Sequence, residues 1–171
     1  EGKENKFRDF LRNEKAMAYL FEAFVENFYR KHKSEHGFKV RTQKQINWVG
    51  KPLDKTSEDY LPKMQADVIL ESSEKKIVLD TKYYKETLQE NYGKKTIHSE
   101  NLYQIFSYIK NLEVLGGLNE TCEGILLYPT IDASFPGADY EIQGHRVSVR
   151  TVNLNQDWRG IHEELISVVS S

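Results

Sequence analysis

MQADVILESSEKKIVLDTK, residues 64–82, is the stretch whose reading decides the fold. It holds two short apolar runs, Val68-Ile69-Leu70 and Ile77-Val78-Leu79, joined by the polar link ESSEKK. Runs of this length on either side of a polar hinge predict a β-hairpin. Each run is bordered by an acid, Asp67 before the first and Asp80 after the second. Strand side chains alternate faces, so Val78, Asp80 and Lys82 share one face while Ile77, Leu79 and Thr81 share the other. Asp80 and Lys82 therefore point the same way, two residues apart. Asp67 on the partner strand can add a second carboxylate to that face.

Two acids and a lysine at the end of an apolar hairpin form a candidate site for a divalent cation beside a cationic group. That combination suits phosphodiester hydrolysis. Mg²⁺ prefers oxygen ligands and is held by one or two carboxylates, keeping waters and phosphate oxygens in its other positions. An ion held this way activates a water, polarises the phosphate and steadies the leaving oxygen. The lysine supplies charge stabilisation, or orients and deprotonates the attacking water. A solvated strand end carrying DxK is the plainer alternative, because acids and lysines cap exposed strands freely. Without a cation the two carboxylates repel, and one is driven toward protonation. A metal at this place is therefore expected to stabilise the fold.

The remaining composition sets bounds. At 171 residues, 39% hydrophobic and 12% aromatic, the chain fits one domain with a substantial core. A net charge of −2 provides no global basic field, so a nucleic-acid partner must be met by a local patch. The single cysteine, Cys122, excludes an internal disulfide and a cysteine zinc cluster, and points to a reducing, cytoplasmic setting. No apolar run approaches the roughly 18 residues of a membrane span, and no signal peptide opens the chain. The start, EGKENKF, lacks methionine, which suggests a single domain (1–171) cut from the C-terminal part of a longer protein.

Outward from the hairpin, the chain reads as alternating helices and strands. Residues 1–12 are charged and read as a frayed entry. Asn13 caps a helix whose Met17, Leu20, Phe21, Phe24, Val25 and Phe28 recur at 3 and 4 spacing, as far as about Lys33. Glu22 falls at the margin of that stripe. Phe38 to Val49 reads as a strand, with Val40, Thr42, Ile46 and Trp48 at even offsets, and 50–63 as a loop. Tyr83 to His98 is polar and reads as a mobile loop; its Lys85, Lys94 and Lys95 suit a phosphate backbone, though an ordinary solvated loop has the same composition. Ser99 caps a helix with a stripe of Leu102, Ile105, Phe106, Ile109 and Leu112, while Gln104 and Tyr108 stack at i and i+4. Gly124 to Tyr128 reads as a central strand stopped by Pro129, followed by a hairpin about Gly144 and a helix capped by Asp157. His32, His36, His145 and His162 read as surface residues without metal spacing. The sum is an α/β fold, a mixed central sheet flanked by helices.

An acid before one strand, DxK on the next and a helix carrying QxxxY resemble the PD-(D/E)xK nuclease superfamily, with its restriction-endonuclease-like core. Here these are Asp67, then Asp80-Thr81-Lys82, then Gln104 with Tyr108. LFEAFVENFYR, MQADVIL, IVLDTKYYK and NLYQIFSYIKN more closely resemble the McrC-type nuclease subunits of McrBC modification-dependent restriction systems, over roughly residues 15–115. The resemblance implies that Asp67 and Asp80 are metal ligands, joined by the Thr81 carbonyl, with Mg²⁺ as the ion and Mn²⁺ as a substitute. Lys82 would be the catalytic lysine, Gln104 would orient the site or touch DNA, and Tyr108 would support it. Glu22 matches an acid found on the first helix of the superfamily. Ala66 stands where the family has its proline, which weakens the motif but not the chemistry. The resemblance further implies a DNA substrate, a dimer on DNA and an AAA+ GTPase partner of the McrB type. This chain has no GxxxxGK[ST] loop of its own. The expected function is thus a Mg²⁺-dependent DNA endonuclease. A stand-alone repair or resolvase-type nuclease and a non-catalytic assembly module on the same fold are the alternatives.

Overall fold

A computed structural model of the chain describes residues 13–84, 88–91, 94–131 and 135–170; for 88–91, 94 and 95 the backbone alone is described. The charged segment 1–12, Lys85 and the side chains of Lys94 and Lys95 lie outside the described residues. In chain order the elements are α1 (Glu14–Lys31), α2 (Lys33–His36), β1 (Lys39–Ile46), β2 (Met64–Glu71), β3 (Lys76–Thr81), β4 (Leu88–Asn91) and β5 (Lys94–Ile97). These are followed by α3 (Ser99–Glu113), β6 (Glu123–Thr130), β7 (Ala138–Ile142), β8 (His145–Asn153) and α4 (Trp158–Ser170).

Six strands form one sheet in the order β1-β2-β3-β6-β8-β7. The pairs β3–β6 and β6–β8 are parallel, and the other three are antiparallel. The expected hairpin is β2–β3, in the register Val68↔Leu79, Ile69↔Val78, Leu70↔Ile77. Alternation along it feeds two cores. Val68, Leu70, Ile77 and Leu79 pack with Phe21, Val25 and Phe28 of α1 and with Leu165 and Val169 of α4. Ile69 and Val78 pack with Ile105, Tyr108, Ile109 and Leu112 of α3. This is the mixed sheet between helices expected of a restriction-endonuclease-like core. Among the described residues, no helix is long and apolar enough to cross a membrane.

Local chemistry explains the element ends. Asn13 caps α1, its Oδ1 accepting the Ala16 N–H at 3.1 Å. The Tyr29 hydroxyl donates to the Leu165 carbonyl at 2.9 Å and ties α1 to α4. Asp157 caps α4 through the Gly160 N–H at 2.9 Å. Gln143 and Gly144, both with positive φ (50° and 84°), make the two-residue turn of the β7–β8 hairpin.

Helix α3 packs closely on the sheet at Gly124. A Cβ there would lie 2.6 Å from Ile109 Cδ1 and 2.8 Å from Ile105 Cγ1. Glycine therefore sets how near α3 sits to β6, and through α3 where Gln104 stands. Gly124→Ala is expected to cost about 1–3 kcal/mol through overpacking. Urea unfolding measures it, and an unchanged midpoint would mean that α3 shifts without cost.

Several expectations are corrected. α1 stops at Lys31 and the chain re-enters a short turn, α2, instead of running on to Lys33. The stretch expected to be a loop between Tyr83 and His98 contains the antiparallel ribbon β4–β5. His98, not Ser99, occupies the N-cap of α3, and it makes no side-chain cap bond. Pro129 does not end β6, which continues to Thr130 in register with β8. The reason is parity: Leu127 accepts the Lys82 N–H at 2.9 Å, so Pro129 also faces the β3 side. There β3 has already ended at Thr81, and no ladder N–H is lost. Trp48 lies past β1, where its indole donates to the Pro62 carbonyl at 2.6 Å. His145 is fully buried, with Nδ1 2.8 Å from the Cys122 carbonyl.

Even offsets fail as a guide to β1 because the strand changes face midway. Gln43 has φ 51°. The register holds across it (Thr42↔Val68, Lys44↔Ala66), yet Gln43 and Asp67 are not themselves a ladder pair. Val40 and Val68 belong to the α1–α4 core, whereas Ile46 and Ala66, at the same parity, belong to the α3 core. The sheet is thus kinked where Asp67 leaves it.

Candidate active site

Beyond Val68↔Leu79 the strands of the hairpin part, and the Asp67 side chain takes over from its backbone. Asp67 Oδ2 accepts the Thr81 N–H and the Thr81 hydroxyl, both at 2.7 Å. On its other side β3 is held by β6 through the Lys82–Leu127 bond. The DTK triplet is therefore clamped from both flanks, and Asp67 Oδ1 takes no hydrogen bond among the described residues.

Asp80 and Lys82 emerge on one face, as strand alternation requires. Asp80 is 2% exposed, and its Oδ2 lies 2.5 Å from Lys82 Nζ. That buried oxygen has the ammonium as its ion-pair partner, in a geometry that makes no well-formed hydrogen bond. Lys82 Nζ also donates to Gln104 Oε1 at 2.6 Å, and Gln104 Nε2 donates to the Tyr108 hydroxyl at 2.7 Å. The i, i+4 pair on α3 thus fixes the amide with its oxygen toward the lysine. Among the described residues the ammonium, with three hydrogens to offer, has two protein partners, Asp80 and Gln104.

Glu22 enters from α1. It accepts from Gln43 Nε2 at 2.5 Å; the same amide also donates to Glu26 and receives the Gln65 amide at its own oxygen. Sequence reasoning missed Gln43, Glu26 and Gln65. Only the left-handed backbone at Gln43, a conformation uncommon outside glycine and asparagine, singles that residue out, and sequence does not display it.

The charges are placed against their own preferences. Burial, then the neighbouring Asp67, pushes the Asp80 carboxyl up to about 7, against the pull of Lys82. Burial likewise raises Asp67, although the Thr81 hydrogen bonds oppose it. Glu22 is raised by burial and by Asp67. Burial disfavours the Lys82 ammonium, but Asp80 and Asp67 outweigh it and lift its pKa, so the lysine stays charged at neutral pH. Three carboxylates with raised pKa values, Asp80 and Glu22 in part through the charge of Asp67, fit a divalent cation that prefers oxygen ligands. Asp67 Oδ1 and the Asp80 carboxylate are the groups that could hold it, with Glu22 close enough to feel the Asp67 charge. Thr81 meets Asp67 through its N–H and hydroxyl.

The site residues Glu22, Asp67, Asp80, Thr81, Lys82, Gln104 and Tyr108 are brought together. Tyr84 is drawn toward the start of α3 by stacking on His98 (ring centroids 4.1 Å apart) and by its hydroxyl contacts with Glu100 and Asn101.

Residues 15–129, which contain all of these groups, match the family described as McrBC 5-methylcytosine restriction system component. The chain is 35% identical over 163 residues to the type IV methyl-directed restriction enzyme EcoKMcrBC of Escherichia coli (strain K12). That match covers 95% of this chain and 45% of the relative, so the chain spans less than half of the relative's length. Among solved structures, the crystal structure of a protein of unknown function is similar at a TM-score of 0.39 and 13% identity, over 62% of this chain and 47% of that one. With well over half of its residues inside the family match and a relative of this identity across nearly its whole length, the chain belongs to the McrBC 5-methylcytosine restriction system component family.

Proposed function

We propose that this chain is the nuclease part of a restriction system, a PD-(D/E)xK domain that hydrolyses DNA phosphodiester bonds with Mg²⁺, controlled by a GTP-hydrolysing AAA+ partner. The observation that carries the reading is the buried relay Tyr108–Gln104–Lys82–Asp80 beside Asp67. A solvated strand end would not bury its carboxylate or order its lysine through a glutamine.

Each residue has a definite task in this reading. Asp67, Asp80 and Glu22 hold the ion. When bound, Mg²⁺ polarises the scissile phosphate and acidifies a coordinated water. Lys82 is charged in the resting protein, so it acts as a donor and not as a base. The ammonium orients the attacking water or meets the charge that builds on the phosphate oxygens. Gln104 and Tyr108 keep the ammonium in place, because a lysine on a four-carbon stem otherwise samples many rotamers. Thr81 keeps Asp67 turned to the site. Methylated DNA is the substrate class that the family description and the relative's name suggest, with base recognition assigned to the partner. Two copies on a duplex would cut both strands.

The test uses the full-length protein assembled with its GTPase partner, GTP and a methylated duplex. EDTA is expected to abolish cleavage, and Mg²⁺ or Mn²⁺ to restore it. Cleavage that persists in EDTA overturns the reading.

A further inference from the structure

A second group of metal-binding side chains lies outside this site. His32 closes α1 and opens α2: its N–H donates to the Phe28 carbonyl at 3.0 Å, and its own carbonyl accepts the Glu35 N–H at 3.0 Å. That turn sets His32 Nδ1 2.5 Å from Glu35 Oε1. From α4, His162 Nε2 reaches Glu35 Oε2 at 2.6 Å. The ligand atoms of the three residues all lie within 4.8 Å of one another. His32 and His162 read as unrelated surface residues in the sequence, because 130 positions separate them and only the tertiary fold joins them.

The rings are held by apolar walls and not left to solvent. The two imidazoles stand nearly perpendicular, with centroids 4.5 Å apart. Phe28 packs on both, at 4.6 Å from His32 and 5.3 Å from His162, and Trp158 lies 6.2 Å from His162. His36, close by in sequence, is committed elsewhere, with Nε2 2.9 Å from the Tyr29 carbonyl and Nδ1 accepting the Phe38 N–H at 3.0 Å. The fold thus selects two of its histidines and one carboxylate.

Two imidazoles and a carboxylate form a donor set for Zn²⁺ and its neighbours, unlike the all-oxygen set at Asp67 and Asp80. Three protein ligands leave the fourth tetrahedral position to water or to a group from outside. With metal–ligand bonds of about 2.0–2.1 Å, tetrahedral ligand atoms sit roughly 3.3 Å apart. The Glu35 carboxylate, which is partly exposed, sits 2.5 and 2.6 Å from the two ring nitrogens, so it must withdraw by somewhat under about 1 Å from each for an ion to replace the hydrogens now shared with them. We propose that His32, Glu35 and His162 bind Zn²⁺ or a similar imidazole-preferring divalent ion, which fastens α4 to the α1–α2 turn.

The test is calorimetric titration of Zn²⁺ into the whole protein, with Glu35→Gln, His162→Ala and Asp80→Asn alongside. A Zn²⁺ binding event that survives in Asp80→Asn is expected in the wild type, weakened by about 100-fold in Glu35→Gln and His162→Ala. Glu35 is a surface residue outside both cores, so its variant keeps the fold if α4 loosens in His162→Ala; circular dichroism checks both. Bound Co²⁺ should show ligand-field absorption that Glu35→Gln removes. Identical titrations of wild type and Glu35→Gln, or loss of the event in Asp80→Asn, overturn the proposal.

Discussion

At pH 8 in EDTA, Asp80→Asn is expected to melt several degrees above the unsubstituted protein, and Mn²⁺ is expected to stabilise only the latter. Asp80 is almost wholly buried, and burial together with Asp67 raises its pKa to about 7. In the unfolded chain an aspartate titrates near 3.9. Between those values the folded state binds the extra proton, so stability from this group is complete below about pH 4 and declines as the pH rises through about 7. Above that range the fold carries a charge that it disfavours, and asparagine removes it. Loss of the Lys82 ion pair offsets part of the gain, leaving a rise of roughly 5 °C for a chain of this size. A divalent ion reverses the sign by giving the carboxylates a counter-charge, which the variant cannot use. Calorimetric melts in EDTA and in millimolar Mn²⁺ decide the matter. Equal melting temperatures in EDTA, or equal stabilisation by Mn²⁺, would refute this account of the carboxylates.

Lys82→Ala is expected to lower DNA cleavage by the assembled system by about a thousandfold while metal affinity stays unchanged or tightens. Removing one donor aimed at developing charge typically costs 10²–10³ in rate, and here the same substitution also strips Gln104 of its partner. Asp67 keeps its place, because it is fixed by Thr81 and not by the lysine, and Asp80 stays anchored by its buried strand. Lys82→Arg should recover little, because a planar guanidinium does not place a compact point charge between Asp80 and the Gln104 oxygen as the ammonium does. Single-turnover rates with Mg²⁺ separate this effect from DNA binding. A rate within threefold of wild type would reduce Lys82 to a strand-end charge.

Much of this was legible from residue order because the decisive contacts are local or periodic. Strand alternation alone places Asp80 beside Lys82, and helical spacing alone stacks Gln104 on Tyr108. The hairpin and the two apolar helix stripes follow from the same rules. What escaped depends on contacts between distant segments. Pro129 was misjudged because its tolerance depends on where the neighbouring strand ends. The even offsets of Phe38 to Val49 overrun the strand because β1 ends at Ile46, and the flip at Gln43 leaves no trace in the side-chain pattern. His145 is buried, and the His32–His162 pair meets, through neighbours from elsewhere in the chain that spacing does not display.

The hydrogen bond from Tyr29 to Leu165 bridges 136 positions, and it carries a consequence for how the chain is made. On the ribosome α1 emerges first and α4 last among the described elements, so one layer of the sheet stays half-covered through most of synthesis. Phe21, Val25, Phe28, Leu127 and Val152 wait for Leu165 and Val169 to arrive. The other layer closes earlier, once α3, β6 and β8 are out. Nascent chains stalled before Trp158 should therefore hold the site's hairpin yet remain chaperone-bound and protease-sensitive along α1, and release should come once the thirteen-residue α4 has emerged.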